Sequence, residues 1–216
     1  MLKTNIFAGG ITNLTDARYF AARGAQFLSF NLEQGATLGI SSEKTAAIKE
    51  WVEGPSFIGV FQITPLEDIR FLVERLNLHM VQVGPFISLD DLRNNPIGIP
   101  LVREVIIEQL NDFSTLSNEL ETLSSFFDYI LINFEKNGIA WSAIREDSTV
   151  FTMLKNWSAD SKLILAIAHD PSETQEILDE LNPNGLYLQG GEEEKVGFKS
   201  FDDLDEILDV VEEEEY

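Results

Sequence analysis

The feature that most constrains this chain is an alternation. Short apolar runs rich in β-branched and aromatic residues recur eight times, separated by segments whose apolar residues fall at helical spacing. Repeated βα units of this kind build a parallel sheet. The predicted strands are Asn5 to Gly9, Gln26 to Phe30, Phe57 to Phe61, His79 to Val83, Ile99 to Arg103, Asp128 to Asn133, Lys162 to Ile167 and Gly185 to Gln189. Eight strands predict a closed α/β (β/α)₈ barrel spanning residues 1–216, with an open doubly wound sheet as the alternative.

Helix starts support this reading. Asn13 or Thr15 is placed to cap a first helix that stops at Gly24, and Ser41 precedes the second. Pro65 and Pro171 stand in first turns, where a missing N–H costs nothing. The fourth and fifth helices are expected near Ser88 to Arg93 and Ser114 to Phe126. Ser200 or Asp202 starts the last, whose Phe201, Leu204, Ile207, Leu208 and Val211 recur at helical spacing.

Composition narrows the chemistry. There is no cysteine, so disulfides, thiolate metal sites and cysteine nucleophiles or bases are excluded. A formal net charge of −22, from 37 acidic against 15 basic residues, argues against nucleic acid, whose phosphates need lysine and arginine clusters. Part of that charge lies in an acidic tail, Glu212 to Glu215, which reads as a solvated surface or a docking element. With no signal-like or membrane-spanning apolar run, a cytoplasmic protein is expected. Neither a metal nor a cofactor is expected, because the two histidines lie on different strands and no ligand spacing recurs.

In a barrel of this type the chemistry lies at the carboxyl ends of the strands. The first ends in Phe7-Ala8-Gly9-Gly10-Ile11-Thr12-Asn13-Leu14-Thr15-Asp16-Ala17. Further markers are Ile58-Gly59-Val60-Phe61, Val81-Gln82, Asp128 to Leu131, and Gly190-Gly191 after the eighth strand. Together, in this order, they resemble the phosphoribosylanthranilate isomerase family of tryptophan biosynthesis. That resemblance implies a barrel, a sugar-phosphate substrate and an Amadori rearrangement. In that reaction an acid opens the ribose ring and a base removes the C2′ proton. It also implies where those groups stand: the base is a cysteine at the position of Gly9, and the acid an aspartate at that of Asn133. Neither residue here can perform the role, since glycine has no side chain and an amide does not ionise near neutral pH.

Other positions depart from the family in the same direction. Phe7 replaces its basic residue and Leu38 its arginine after the second strand. Ala166-Ile167-Ala168-His169-Asp170 stands where a Gly-Gly-Leu turn helps bind phosphate. The loop after the sixth strand is shortened to Lys136-Asn137-Gly138, although Trp141 stands where the family often has a tryptophan.

The remaining candidates each have a structural alternative. Gly10, with Gly9, offers backbone N–H groups to an anion or forms a plain tight turn. Gln82 shares an inward face with Met80 and either contacts a ligand or is a satisfied polar lining residue. His79, on the opposite face, reads as a core or boundary histidine. Arg103 ends its strand and meets an anion, or pairs internally with Glu104 or Glu135. Glu135 is a relocated acid or a solvated carboxylate. His169 beside Asp170 is the best surviving proton-transfer candidate, with a helix cap before Pro171 as the alternative. Gly190 and Gly191 keep the outline of a phosphate cradle, but Glu192-Glu193-Glu194 follow and would repel an anion.

The expected function is a family-like barrel without the family's reaction, a pseudoenzyme binding a small-molecule or protein partner as a monomer or homodimer. The alternatives are an active isomerase of the family, and a different barrel enzyme using Arg103, Glu135, His169 or Asp170.

Overall fold

In a computed structural model, eight parallel strands close in the order β1 to β8, each paired with the next and β8 with β1. They are β1 (Asn5–Gly9), β2 (Phe27–Asn31), β3 (Ser56–Phe61), β4 (Met80–Val83), β5 (Leu101–Ile106), β6 (Tyr129–Asn133), β7 (Leu163–Ala166) and β8 (Gly185–Gln189). The structure describes residues 2–160, 162–190 and 201–212, apart from the side chains at 113–115, 117, 118 and 160. Closure excludes the open doubly wound sheet. Among the described residues, no helix is long and apolar enough to cross a membrane.

Several helices form where the sequence predicts, and the two between β6 and β7 are not among those predicted. Asn13 Oδ1 accepts from the Asp16 N–H at 2.9 Å and opens α1 (Leu14–Ala22), which ends at Arg23 before Gly24 at φ +79°. Ser41 caps α2 (Ser42–Lys49) through the Lys44 N–H, and Ser88 caps α4 (Leu89–Asn94) through the Asp91 N–H. In α3 (Leu66–Leu76), Ile69, Val73 and Leu76 are buried at four- and three-residue spacing. Pro65 stands one position earlier than expected, as the N-cap of that helix. α5 covers Phe113–Phe126. The crossover to β7 carries two helices, α6 (Trp141–Glu146) and α7 (Ser148–Asp160), with Trp141 fully buried between sheet and helices. α8 (Thr174–Leu181) follows a 3₁₀ turn begun by Pro171, and α9 (Asp202–Val211) seats Ile207, Leu208 and Val211.

Arg23 ties the ends of the chain together through Asp205, Asp209 and Glu212 of the α9 region, while the Tyr19 hydroxyl donates to Asp205 at 2.7 Å. The main core lies between barrel and helices. A second apolar cluster fills the barrel itself: Phe7, Ile58, Met80, Val102, Leu131, Ile164 and Ala166, with Phe27, Tyr129 and Tyr187 packed against it. Phe7 stacks on Phe27 at 4.2 Å between ring centroids. A Cβ on Gly185 would lie 2.6 Å from the Phe7 ring, so glycine there is what lets that ring fill the barrel. The position where the family has a basic residue is thus part of an apolar plug.

One strand differs from expectation in a way that matters for the site. β5 continues to Ile106, three residues beyond Arg103, with Ile106 opposite Asn133. Alternation along β5 puts Val102 and Glu104 on the inside and Arg103 on the outside, facing the helices.

Candidate functional site at the barrel mouth

Above the apolar plug the barrel opens into a cavity of about 210 Å³. Its walls include Gly10 after β1, Ser29 and Asn31 of β2, Leu38 in the following loop, and Gln62 after β3. Thr37 beside Leu38, Val60 of β3, Gln82 of β4, Glu104 of β5, Asn133 of β6 with Lys136 after it, and Tyr187 and Gln189 of β8 complete them.

Glu104 is the organising group. Its carboxylate is 2% exposed, and burying such a charge is costly unless it is paired and hydrogen-bonded. Three elements supply the partners. Lys136 Nζ lies 2.7 Å from Oε1, the Asn133 amide donates to Oε1 at 2.8 Å, and the Gln62 amide donates to Oε2 at 3.0 Å. Asn133 is in turn oriented by the Lys136 backbone N–H, which donates to its Oδ1 at 3.0 Å. Gln62 reaches inward because residue 84 is glycine: a Cβ there would meet Gln62 Oε1 at 1.7 Å.

The backbone that carries Gln62 is fixed by Glu33. Its Oε2 accepts from the N–H groups of Gln62 (2.6 Å), Ile63 (3.0 Å) and Thr64 (3.3 Å) and from the Thr64 hydroxyl (3.0 Å). Desolvation raises the Glu33 pKa, but these hydrogen bonds outweigh it and hold the carboxyl below its usual value. A depressed pKa in the folded state contributes stability that is present above the unfolded carboxylate pKa of about 4.3 and is lost as pH falls through the folded value. Glu33→Gln should therefore cost about 1–3 kcal/mol at neutral pH. The gap in melting temperature between the two proteins should close as acid protonates Glu33. A gap unchanged across that range would mean that charge on Glu33 contributes nothing.

Tyr187 occupies the space in front of Gly9. A Cβ on Gly9 would lie 2.0 Å from the Tyr187 hydroxyl oxygen and 2.1 Å from Cζ. Burial, followed by the charges of Glu104 and Glu135, pushes the phenol pKa up, so Tyr187 is neutral and a donor across the physiological range. Leu38, with φ +56°, lies against Gly10, whose Cβ position is 3.2 Å from Leu38 Cδ1.

The other predicted site residues divide. Gly10, Gln82 and Asn133 face the cavity. Arg103 does not: the strand runs past it, and its guanidinium is buried on the helix side. There it donates to the carbonyls of Ile87 (2.7 Å), Gly84 (2.9 Å) and Pro85 (3.2 Å). Desolvation lowers its pKa. Of the two internal partners considered for it, Glu104 is held instead by Lys136. Glu135 remains open to solvent on one side while desolvation raises its carboxyl.

His169 is outside the cavity wall. Its Nδ1 lies 2.9 Å from the Ile167 carbonyl, which fixes that nitrogen as the donor and leaves Nε2 buried without a partner. Asp170 is the N-cap of the turn at Pro171–Glu173, its N–H donating to Glu173 Oε2 at 2.9 Å. His79 stacks on Phe57 and accepts from the Phe57 N–H at 2.9 Å, on the helix-facing side as expected. Gly190 follows β8 and is half-buried; Gly191 and the three glutamates after it lie outside the described residues. Among the described residues, no three histidine, aspartate or glutamate side chains gather as a metal site.

Ser29, Gln62, Glu104 and Tyr187 escaped the sequence reading as mouth residues. The two-residue alternation that put Gln82 inward would have found Glu104 from Val102, had β5 been extended.

A family model described as N-(5′-phosphoribosyl)anthranilate isomerase matches residues 8–212. The chain belongs to this family. It is 25% identical over 194 residues to the N-(5′-phosphoribosyl)anthranilate isomerase of Oceanobacillus iheyensis, covering 85% of each chain. Its fold is that of the phosphoribosylanthranilate isomerase of Thermotoga maritima (TM-score 0.76, 20% identity, 96% of this chain and 98% of the other). The Thermus thermophilus protein is similar in the same way (TM-score 0.73, 23% identity, 96% and 98%). Another solved phosphoribosylanthranilate isomerase is in complex with reduced 1-(o-carboxyphenylamino)-1-deoxyribulose 5-phosphate (TM-score 0.73, 21% identity, 96% and 98%). Beside Gly9 stands the Tyr187 phenol of β8, and Asn133 at the end of β6 holds the Glu104 carboxylate of β5.

Proposed function

We propose that this member of the phosphoribosylanthranilate isomerase family binds a small molecule or partner at its mouth and does not perform the family's isomerisation. The observation that carries this is the Tyr187 phenol, whose end occupies the space that a side chain at Gly9, the base position by resemblance, would need. Asn133 cannot supply the acid. Loss of a positioned acid or base costs about 10² to 10⁴ in rate, and losses of groups acting together are not fully multiplicative. A cytoplasmic monomer or homodimer belongs to the same proposal, supported by the match to a biosynthetic enzyme family and by a solved phosphoribosylanthranilate isomerase described as dimeric, from which monomers were generated.

A second reading, an active isomerase, is favoured by the family match over residues 8–212 and by the name of the Oceanobacillus iheyensis relative. The mouth offers it a chemical route. Tyr187, kept protonated, would protonate the ribose ring oxygen, and Glu104 would accept the C2′ proton.

Fluorescence decay of fresh phosphoribosylanthranilate separates the readings. The expected result is no turnover above spontaneous breakdown, and no rescue of a cell lacking the isomerase. Saturable turnover that disappears in Glu104→Gln or Tyr187→Phe would establish the second reading. Loss in His169→Ala or Glu135→Gln would instead place the acid or base in the loops.

A further inference from the structure

The cavity's chemistry points to its ligand. Its charged lining groups among the described residues are Glu104 and Lys136, and they are spent on each other at 2.7 Å. Among the described residues the cavity therefore offers no uncompensated cation to a phosphate, and anions bind where fixed positive charge or converging N–H groups await them. What it offers is neutral and two-sided. The Ser29 hydroxyl is 1% exposed and has no hydrogen-bond partner among the described residues, although it borders the open space. A buried polar group left unpaired costs stability, and a hydroxyl in a ligand is able to satisfy it. The same cavity is lined by the amides of Gln82 and Gln189 and the phenol of Tyr187, groups that between them both donate and accept.

We propose that the mouth is a binding site for a small uncharged polyhydroxyl compound, a free aldose or polyol, read by Ser29, Gln82, Gln189 and Tyr187. This rests on taking the mouth as a binding site. Hydroxyl groups donate and accept at one atom, which matches amides and hydroxyls and requires no charged partner. A volume of about 210 Å³ falls below the roughly 300–1,000 Å³ of drug-sized pockets, and suits a single sugar ring or an open pentitol. Leu38 borders the cavity next to Gly10 and supplies an apolar edge for carbon-bound hydrogens.

The test is protein-observed NMR titration of the full chain with ribose, ribitol, ribose 5-phosphate and inorganic phosphate. Ribose or ribitol should shift the amides of Gly10, Ser29, Gln82 and Gln189 with millimolar saturation, and ribose 5-phosphate should bind at least tenfold more weakly. Ser29→Ala and Gln82→Leu should each weaken the sugar by roughly tenfold, the loss expected for one hydrogen bond, with the fold checked by circular dichroism. Tighter binding of ribose 5-phosphate, sugar binding indifferent to both variants, or no shift with ribose or ribitol would each overturn the proposal. Turnover of phosphoribosylanthranilate, a separate readout, would overturn the absence of isomerase activity without touching the ranking of ribose over its phosphate.

Discussion

Gly9→Cys should lower the stability of this protein by about 1–3 kcal/mol, the usual cost of forcing extra atoms into a packed interior. For a chain of this size that is a fall in melting temperature of roughly 2–4 °C per kcal/mol. The reason is steric: the new Cβ would lie 2.0 Å from the Tyr187 hydroxyl and 2.6 Å from Cε1, and these atoms belong to a rigid ring on a neighbouring strand. Tyr187→Ala alone should cost about 3 kcal/mol, because it empties the volume of an aromatic ring. In the Tyr187→Ala background, Gly9→Cys should become nearly neutral. The coupling between the two sites is expected to exceed about 1 kcal/mol. Thermal or urea unfolding of the four proteins of the cycle measures it, and additive effects would mean that the phenol does not occupy the space in front of Gly9. The same cycle bears on evolution of the site. A cysteine at this position requires that the Tyr187 ring shift, so restoring cysteine and aspartate at Gly9 and Asn133 alone should recover at most a trace of isomerase activity.

Arg103→Ala should be more damaging, costing about 3 kcal/mol or more. The guanidinium satisfies three carbonyls, those of Gly84, Pro85 and Ile87, in the loop between β4 and α4. Removing it leaves buried acceptors unpaired, which costs more than the hydrogen bonds themselves contribute. Arg103→Lys should restore only part of the loss, because an ammonium lacks the planar fork that meets several acceptors at once. The same loop leads into Ser88 and α4, and Gly84 is where Gln62 passes toward Glu104. Disorder there should reach the mouth as well. Differential scanning calorimetry with hydrogen exchange of residues 84–92 tests this. A stable Arg103→Ala protein with an unperturbed loop would mean that the guanidinium does not hold the loop.

Arg103 also illustrates what kind of information a single sequence holds. The apolar run from Ile99 to Arg103 looked like a complete strand, and its last residue therefore looked like a mouth residue. The ladder continues because Glu104, Val105 and Ile106 pair with Leu131, Ile132 and Asn133 of β6. A charged pair in the middle of a strand reads locally as its end. Partners on other elements, the loop carbonyls for Arg103 and Lys136, Asn133 and Gln62 for Glu104, are what make both charges tolerable there.

By itself the sequence determined the eight βα units, a first-helix cap at Asn13 or Thr15, a second-helix start at Ser41, the inward face of Gln82, and the residue types Gly9 and Asn133 at the positions where the resemblance sets a base and an acid. These depend on periods of two and of three to four residues, and on residue types whose chemistry is fixed wherever they fall. Only the tertiary structure decided what stands in place of the missing groups. The phenol of Tyr187 meets Gly9 because β8 pairs with β1 across the closure of the barrel, residues far apart in the chain. Glu104 becomes the centre of the mouth because β3, β5 and β6 end at depths that let Gln62, Asn133 and Lys136 converge on it. Depth within a barrel is set by the stagger between neighbouring strands. That stagger is fixed by packing around the whole ring and leaves no mark in the pattern of any one strand.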